Sequence, residues 1–240
     1  MRSNTEPRQA VRQSQDNLIE SEDGTRWKIS ILLPVLKDFP KRNDIELCSS
    51  THYDLSKAEE LRAKIERTEN LREHFAAENG ILGFKSGIAV TEAGDGQYAS
   101  LEFPRNLPEV LRTIIKDAIL YESATDVEFA RSTMQVNFRF DALDNRDNTD
   151  EEFHQDFEAY RKAATYAVAS RDPTVGSDDP RALYKTLSAA LEAGITIFRM
   201  LPGRMYRWTK MYIHASPDNR FEGENANKTR VIAVIGFVYP

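Results

Sequence analysis

The feature that most constrains the fold is the segment MQVNFRF, residues 134–140, in which apolar and polar residues alternate along the chain. A period of two is typical of a β-strand with one buried face, because successive side chains point to opposite faces of a sheet. Further apolar runs of strand length follow, separated by turns rich in Pro, Gly, Asp and Asn. These runs are residues 164–170, 194–201, 208–214 and 230–239. The C-terminal half is therefore predicted to be an antiparallel sandwich or barrel.

The N-terminal half mixes helices with shorter strands. Residues 54–80 predict a charged surface helix that begins at Asp54 or Ser56 and ends at Gly80, whereas the apolar periodicity of residues 108–121 predicts a more buried helix. Strands are predicted at residues 26–35, 87–90 and 98–103, a charged linker at 141–152, and a short helix at 180–193. Residues 1–24 have hardly any large apolar side chains, which predicts a flexible arm. We expect residues 25–240 to form a single domain, mainly β (α+β) in class.

Composition excludes several classes of function. The chain has 32 Lys and Arg against 38 Asp and Glu, a net charge of −6, which is opposite to the basic balance of proteins that bind nucleic acid. Cys48 is the single cysteine, so no intrachain disulfide and no thiolate cluster can form. Residues 1–25 contain no apolar stretch of signal-peptide length, and no apolar run in the chain approaches the length of a membrane span. These features predict a cytoplasmic protein with neither nucleic acid nor a membrane as its partner.

Candidate metal ligands come from the four histidines of the chain, of which His154 and His214 fall in the β-rich half. In the sequence FHQD, His154 and Asp156 are two positions apart in an extended segment, so both side chains can point to the same face. His214 ends a separate apolar run and can supply a third ligand. Two imidazoles and one carboxylate leave three positions of an octahedral ion open, which suits Fe(II). The alternative is that both histidines are ordinary polar residues at strand ends; His52 and His74 are interpreted as surface residues.

The order of these residues resembles the double-stranded β-helix core of the Fe(II)/2-oxoglutarate-dependent dioxygenases, over roughly residues 132–240. The matching segments are MQVNFRF, FHQD, MYIHAS and TRVIAVIGF. The resemblance implies a jelly-roll core with N-terminal supporting helices, iron ligands at His154, Asp156 and His214, and Arg230 as the partner of the far carboxylate of 2-oxoglutarate. A guanidinium suits bidentate carboxylate recognition. Because Arg230 lies sixteen positions after His214, a longer gap than is common, three other arginines remain alternatives. They are Arg204, Arg207 and Arg220.

The resemblance also implies a reaction, in which 2-oxoglutarate and dioxygen are consumed and an aliphatic C–H bond of the substrate is hydroxylated or otherwise oxidised. An intact carboxylate at Asp156 favours hydroxylation over halogenation, and no catalytic residue beyond the metal ligands is predicted. The acidic chain favours a small substrate such as an amino acid or a biosynthetic intermediate. Two alternatives are a cupin-like metal protein, although two histidines in the β half are few for a cupin, and a non-catalytic β-sandwich binding protein.

Residues that can line the co-substrate and substrate pockets are open to two interpretations each. Candidate hydroxyl donors to 2-oxoglutarate beside Arg230 are Tyr166 and Thr174, which can instead serve packing and turn formation. Candidate substrate-pocket residues are Asn137, Arg139, Tyr206 and Trp208. The first two can instead face solvent, and the two aromatic residues can instead belong to the core.

Overall fold

Antiparallel strand pairing dominates the computed structural model of the chain. The structure describes residues 18–23, 26–32, 45–69, 76–78, 81–93, 96–104, 106–125, 129–141, 152–156, 162–171, 174–215 and 230–239. Within these ranges the strands form three antiparallel sheets and the helices are few. The predicted class, mainly β, is confirmed, while the described strands do not close into one barrel.

The strands and helices alternate irregularly along the chain. The strands are β1 (Leu18–Asp23), β2 (Arg26–Leu32), β3 (Glu46–Leu47), β4 (Ala76–Glu78), β5 (Ile81–Gly87), β6 (Ala89–Ala93), β7 (Gly96–Pro104), β8 (Thr133–Asp141), β9 (Lys162–Ala169), β10 (Val175–Ser177), β11 (Phe198–Arg199), β12 (Tyr206–Thr209), β13 (Ile213–Ala215) and β14 (Arg230–Tyr239). The helices are α1 (Ala58–Arg67), α2 (Glu109–Thr125) and α3 (Leu187–Glu192). Short 3-10 turns lie at Phe129–Arg131 and Pro180–Ala182.

The largest sheet has seven strands in the order β3-β12-β9-β14-β8-β5-β4. Its centre is β14, where Ala233 is opposite Phe138 of β8 on one side and Val168 of β9 on the other. The alternating segment at residues 134–140 is thus confirmed as a strand, and it lies inside the sheet. The remaining sheets have the orders β1-β2-β7-β6 and β11-β10-β13.

The two faces of the seven-stranded sheet bury different side chains. One, the helix face, packs against α2 in the main core, which includes Val136, Phe138, Val231, Ile235 and Phe237. The opposite, aromatic face buries a smaller cluster formed by Ala167, Ala169, Met200, Tyr206, Trp208, Tyr212 and Ile232. Because side chains alternate along a strand, the face on which a residue lies follows from its position and the strand register.

Helix α2 confirms the more buried of the two predicted helices and extends it to Thr125. The predicted helix over residues 54–80 is confirmed only as α1, which ends at Arg67, and its later part is wrong, since residues 76–78 form β4, which pairs with β5. After α1, Thr68 adopts an extended conformation with ψ 106°, which ends the helix. Gly80 lies outside the described residues, so its predicted capping role stays a prediction.

Two further differences concern the ends of the predicted elements. The last part of the predicted flexible arm forms β1, which pairs along its whole length with β2, while residues 1–17 lie outside the described residues. Most of the predicted linker, residues 142–151, lies outside them as well. None of the described helices combines the length and the hydropathy that crossing a bilayer requires.

Candidate metal centre

The first candidate ligand, His154, lies in an extended segment, residues 152–156, that is bound by backbone hydrogen bonds to the chain around His214. The His154 N–H donates to the His214 carbonyl, and the His214 N–H donates to the His154 carbonyl, both at 2.9 Å. Two residues later, the Asp156 N–H donates to the Lys210 carbonyl at 3.0 Å. This pairing holds the two histidines side by side although sixty positions of sequence separate them.

A turn, rather than a continuous strand, brings His214 to this place. Residues 208–214 were predicted to form one strand, but β12 ends at Thr209 and the Tyr212 N–H donates to the Thr209 carbonyl at 3.0 Å. The chain then enters β13, where His214 is opposite Gly176 of β10. The prediction of one strand is therefore wrong, and the turn moves His214 from the seven-stranded sheet to the three-stranded sheet.

The three candidate ligands, here called the triad, lie together, with His154 half-buried, Asp156 exposed and His214 buried. Their potential ligand atoms all lie within 4.8 Å of one another. Nε2 of His214 is 3.7 Å from Oδ1 of Asp156, and the two imidazole ring centroids are 4.6 Å apart. The side chain of His214 is 10% exposed and that of Asp156 is 45% exposed, so a ligand can reach the triad from solvent.

Backbone carbonyls set the tautomer of both imidazoles. Nδ1 of His154 lies 2.9 Å from the Glu152 carbonyl oxygen, and Nδ1 of His214 lies 3.0 Å from the Tyr212 carbonyl oxygen. A carbonyl oxygen can only accept a hydrogen bond, so each neutral imidazole carries its proton on Nδ1 and its lone pair on Nε2. This is the arrangement that metal-binding histidines commonly have, with the second nitrogen donating to a backbone carbonyl.

The donor set and the spacing of the triad fit a divalent metal ion. Metal–ligand bonds to His nitrogen and carboxylate oxygen are about 2.1 Å, so two ligands at right angles are about 3 Å apart. Ion binding would thus draw the triad atoms together, and the Asp156 side chain is half exposed. Two imidazoles and one carboxylate suit Fe(II) with open coordination positions. Three hydrogen-bond acceptors that converge are also stabilised by a cation between them.

The aromatic side chains predicted to line a pocket both belong to the aromatic face, and Trp208 contacts the triad. Trp208 packs against the candidate ligand, with its ring centroid 5.3 Å from that of His214, and is 3% exposed. Tyr206 lies on the same face, where its hydroxyl accepts a hydrogen bond from the Leu201 N–H at 3.0 Å and its ring meets that of Phe198 edge-on. Both residues belong to a buried cluster, and only Trp208 contacts a triad member.

The two polar pocket candidates of β8 lie on the aromatic face as well. Asn137 is opposite Val234, and Arg139 is opposite Ile232, in the register of β8 with β14. Both side chains are half-buried. The face that Asn137 and Arg139 share is also the face that Trp208 occupies, which leaves them as candidates for pocket lining.

The co-substrate candidates Arg230 and Thr174 are both buried. Arg230, which is 1% exposed, occupies an even position of β14, as Ile232 does, and therefore lies on the aromatic face. Its Nε donates to the Arg171 carbonyl at 3.2 Å. Thr174 lies directly before β10, and its carbonyl accepts a hydrogen bond from the Met200 N–H at 3.2 Å.

Tyr166 lies on the helix face, not on the aromatic face. Its hydroxyl donates to Oε2 of Glu122 at 2.5 Å, and Arg207 donates to the same carboxylate at 2.8 Å. Tyr239 also donates to Glu122, and we call these four residues the Glu122 cluster. Burial, and then the charge of Glu122, raise the pKa of Tyr166 well above its ordinary value. The structure thus does not bring Tyr166 to the triad, contrary to the expectation of a co-substrate hydroxyl.

The alternative arginines differ in how they are placed. Arg207 lies in a buried ion pair with Glu122 on the helix face, which removes it from the aromatic face. Arg204 donates to the Ser50 carbonyl. Arg220 and His74 lie outside the described residues, and His52 is exposed. Compared with the two described alternatives, Arg204 and Arg207, Arg230 is the arginine that is buried on the aromatic face, which suits a residue that binds the co-substrate.

Sequence reasoning missed the groups that orient the imidazoles and the buried partner of Tyr166. The orienting groups are backbone carbonyls of Glu152 and Tyr212, and every residue type has such a carbonyl, so the sequence carries no signal for them. Glu122 is an acidic residue in the apolar stretch of α2, which is a signal that could have been followed, because a buried carboxylate requires partners.

The chain was compared with known proteins by sequence and by structure. No protein-family model and no curated protein matches the chain. Among solved structures, EvdMO1 is similar with a TM-score of 0.38 and 11% identity, over 88% of this chain and 47% of EvdMO1. This chain thus spans about half of the length of EvdMO1.

Two further solved structures are similar at the same level. A protein from Shewanella oneidensis that is provisionally named an oxygenase has a TM-score of 0.39 and 11% identity, over 82% of each chain. IDO from Bacillus thuringiensis has a TM-score of 0.32 and 8% identity, over 81% of this chain and 98% of that protein. The chemistry of the site is therefore inferred from its own residues.

Proposed function

We propose that the protein is a non-haem Fe(II) oxygenase that uses 2-oxoglutarate as co-substrate and hydroxylates an aliphatic C–H bond of a small molecule. The observation that supports this most is the triad itself, in which two imidazoles with Nδ1 beside backbone carbonyls and the carboxylate of Asp156 have potential ligand atoms within 4.8 Å of one another. His154, Asp156 and His214 would hold the ion and leave coordination positions open for co-substrate and dioxygen.

The ion would supply the redox chemistry of the reaction. This chemistry would couple the oxidative decarboxylation of 2-oxoglutarate by dioxygen, which yields succinate and CO2, to hydroxylation of the substrate C–H bond. The protein residues bind and orient the reactants and limit the access of water, which lowers the entropic part of the barrier. Because Asp156 is a carboxylate that can fill a ligand position, we propose hydroxylation rather than halogenation.

Arg230 is proposed to bind the far carboxylate of 2-oxoglutarate. Its guanidinium is almost fully buried on the aromatic face, where a charge-assisted, bidentate hydrogen bond to a carboxylate is strong because the surroundings have a low dielectric constant. The hydrogen bond from its Nε to the Arg171 carbonyl fixes the plane of the guanidinium. The remaining pocket residues of this proposal are Thr174 for the co-substrate and Asn137, Arg139, Tyr206 and Trp208 for the substrate. The proposed substrate is an amino acid or a biosynthetic intermediate, in a cytoplasmic setting.

The test is an anaerobic titration of the metal-free protein with Fe(II) and then with 2-oxoglutarate, following the weak visible absorption band of the chelate. We expect the band in the wild-type protein and its loss in His154→Ala and in Asp156→Ala. Arg230→Ala should keep iron binding but bind 2-oxoglutarate much more weakly. His52→Ala, which removes an exposed histidine outside the triad, is the matched control and should behave as the wild type.

Other outcomes point to other classes of protein. Iron binding that depends on the triad, without a band for 2-oxoglutarate, would overturn the co-substrate and favour a cupin-like metal protein. Iron binding that is absent, or that is unchanged in both His154→Ala and Asp156→Ala, would overturn the oxygenase altogether. The β-rich fold would then be that of a non-catalytic binding protein.

A further inference from the structure

The two tryptophans of the chain share an unusual feature. Trp208 and Trp27 are 3% and 1% exposed, and the indole N–H of each has no hydrogen-bond partner among the described residues. A buried donor that lacks a partner has lost its hydrogen bonds to water without replacement, so such donors in folded proteins are few. Each of the two therefore calls for its own explanation.

The surroundings of the two indoles differ. Trp27 packs against Phe103, with ring centroids 5.1 Å apart, and lies under the guanidinium of Arg112 at 4.5 Å from the ring centroid. The ring of Trp27 therefore contacts one aromatic side chain and one cation. The cation–π contact offsets part of the free-energy cost of burying its indole N–H. Trp208 instead lies beside the triad, with its ring 5.3 Å from the imidazole of His214.

We propose that the indole N–H of Trp208 donates a hydrogen bond to the metal-chelating end of the 2-oxo acid co-substrate, meaning its C1 carboxylate or C2 keto oxygen. The inference rests on the proposed function and gives Trp208 a contact with the co-substrate. Contact with the imidazole of His214 puts Trp208 at the end of the co-substrate that meets the ion, whereas Arg230 is proposed for the opposite end.

This division predicts a specific pattern of recognition. A donor at the chelating end acts on any 2-oxo acid, long or short, because all of them share that end. A guanidinium at the far end acts only on a 2-oxo acid that has a second carboxylate. Trp208 would therefore contribute affinity for the class, and Arg230 would select 2-oxoglutarate within the class.

The experiment uses the Co(II)-substituted protein, whose visible band reports ligands on the ion without turnover. Binding constants are measured for 2-oxoglutarate and for pyruvate, which has the chelating end but lacks the far carboxylate. Trp208→Phe, which retains an aromatic ring, should weaken both ligands about tenfold, the loss of one hydrogen bond to a charged acceptor. Arg230→Ala should weaken 2-oxoglutarate alone. Trp27→Phe is the matched control and should weaken neither.

A second readout does not depend on the stability of a variant. With only two tryptophans, the 15N-labelled Zn(II) protein gives two indole N–H signals in NMR, which Trp27→Phe and Trp208→Phe assign. Either 2-oxo acid should shift the Trp208 signal and leave that of Trp27 in place.

The outcomes separate the inference from the function on which it rests. If 2-oxoglutarate does not change the Co(II) band, the proposed function fails, and the inference fails with it. If the band changes while the Trp208 signal and the affinity of Trp208→Phe stay as before, only the inference is overturned. An effect of Trp208→Phe on 2-oxoglutarate but not on pyruvate would overturn the assignment to the chelating end.

Discussion

Two neighbouring residues of β12, Arg207 and Trp208, point to opposite faces of the seven-stranded sheet. Each contacts a different group of ionisable side chains. Arg207 belongs to the Glu122 cluster on the helix face, where donors from Tyr166, Tyr239 and Arg207 surround a carboxylate that is fully buried. Trp208 packs against His214 of the triad, whose three potential ligand atoms lie within 4.8 Å of one another. A buried charge is thus matched within the protein on one face, while the other face presents converging acceptors that suit an added cation.

The largest expected effect is on stability, from a change within the Glu122 cluster. Glu122→Ala leaves Arg207 as a buried charge without its carboxylate, which should destabilise the fold by about 3–5 kcal/mol. Urea unfolding of the metal-free protein measures this. Glu66→Ala is the matched control, because its pair with Arg62 is half exposed and should contribute less than about 1 kcal/mol. Equal effects of the two changes would contradict the structural role of the cluster.

The next effect is on metal affinity, from a change in the triad. Asp156→Asn keeps the size of the side chain but removes its charge, so Co(II) affinity should fall at least about 100-fold, since even residues that only orient ligands are worth 10–100-fold. The midpoint of urea unfolding without metal should move little, because the side chain is half exposed. Isothermal titration calorimetry gives the affinity. A variant that binds Co(II) like the wild type would remove Asp156 from the triad.

A smaller effect on stability and metal affinity is expected from a change at Gly176, which packs closely against Tyr212. A Cβ added at Gly176 would overlap the ring of Tyr212, whose carbonyl orients His214. Gly176→Ala should therefore cost about 1–3 kcal/mol of stability and also weaken Co(II) binding. Gly87→Ala serves as the control, since nothing lies within 4 Å of its added Cβ. Unchanged Co(II) affinity in Gly176→Ala would show that the packing of Tyr212 does not affect the position of His214.

The smallest effect is a pH dependence on the helix face. Because burial and the charge of Glu122 raise the pKa of Tyr166 in the folded protein, the folded state retains the phenolic proton longer than the unfolded state does. The resulting stability is fully present below pH 10.0, the ordinary pKa, and is lost as the pH rises from there toward the folded pKa. The slope is at most about 1.4 kcal/mol per pH unit. Between pH 9 and 11.5, the free energy of unfolding in urea should decline less steeply in Tyr166→Phe than in the wild type. An equal decline in the two proteins would contradict the raised pKa of Tyr166.

Several elements could be predicted because their signals are local. The alternation at residues 134–140 and the helical spacing at residues 108–121 are patterns within single elements, and both are confirmed as β8 and α2. The later part of the predicted helix over residues 54–80 was wrong because β4 depends on pairing with β5. Pairing between strands is a long-range contact, and in this segment it overrides the local helical spacing.

The sequence by itself determined that the chain is mainly β and that His154 and Asp156 can share a face, since a two-residue spacing in an extended segment requires only local geometry. Tertiary structure decided the rest of the site. The turn after Thr209 moves His214 to a different sheet, and the bridge to His154 then brings the two imidazoles together. Strand register put Tyr166 and Arg207 on the helix face, and backbone carbonyls set the tautomers. Register, turns and carbonyl contacts depend on where distant segments meet, and no local pattern of side chains encodes them.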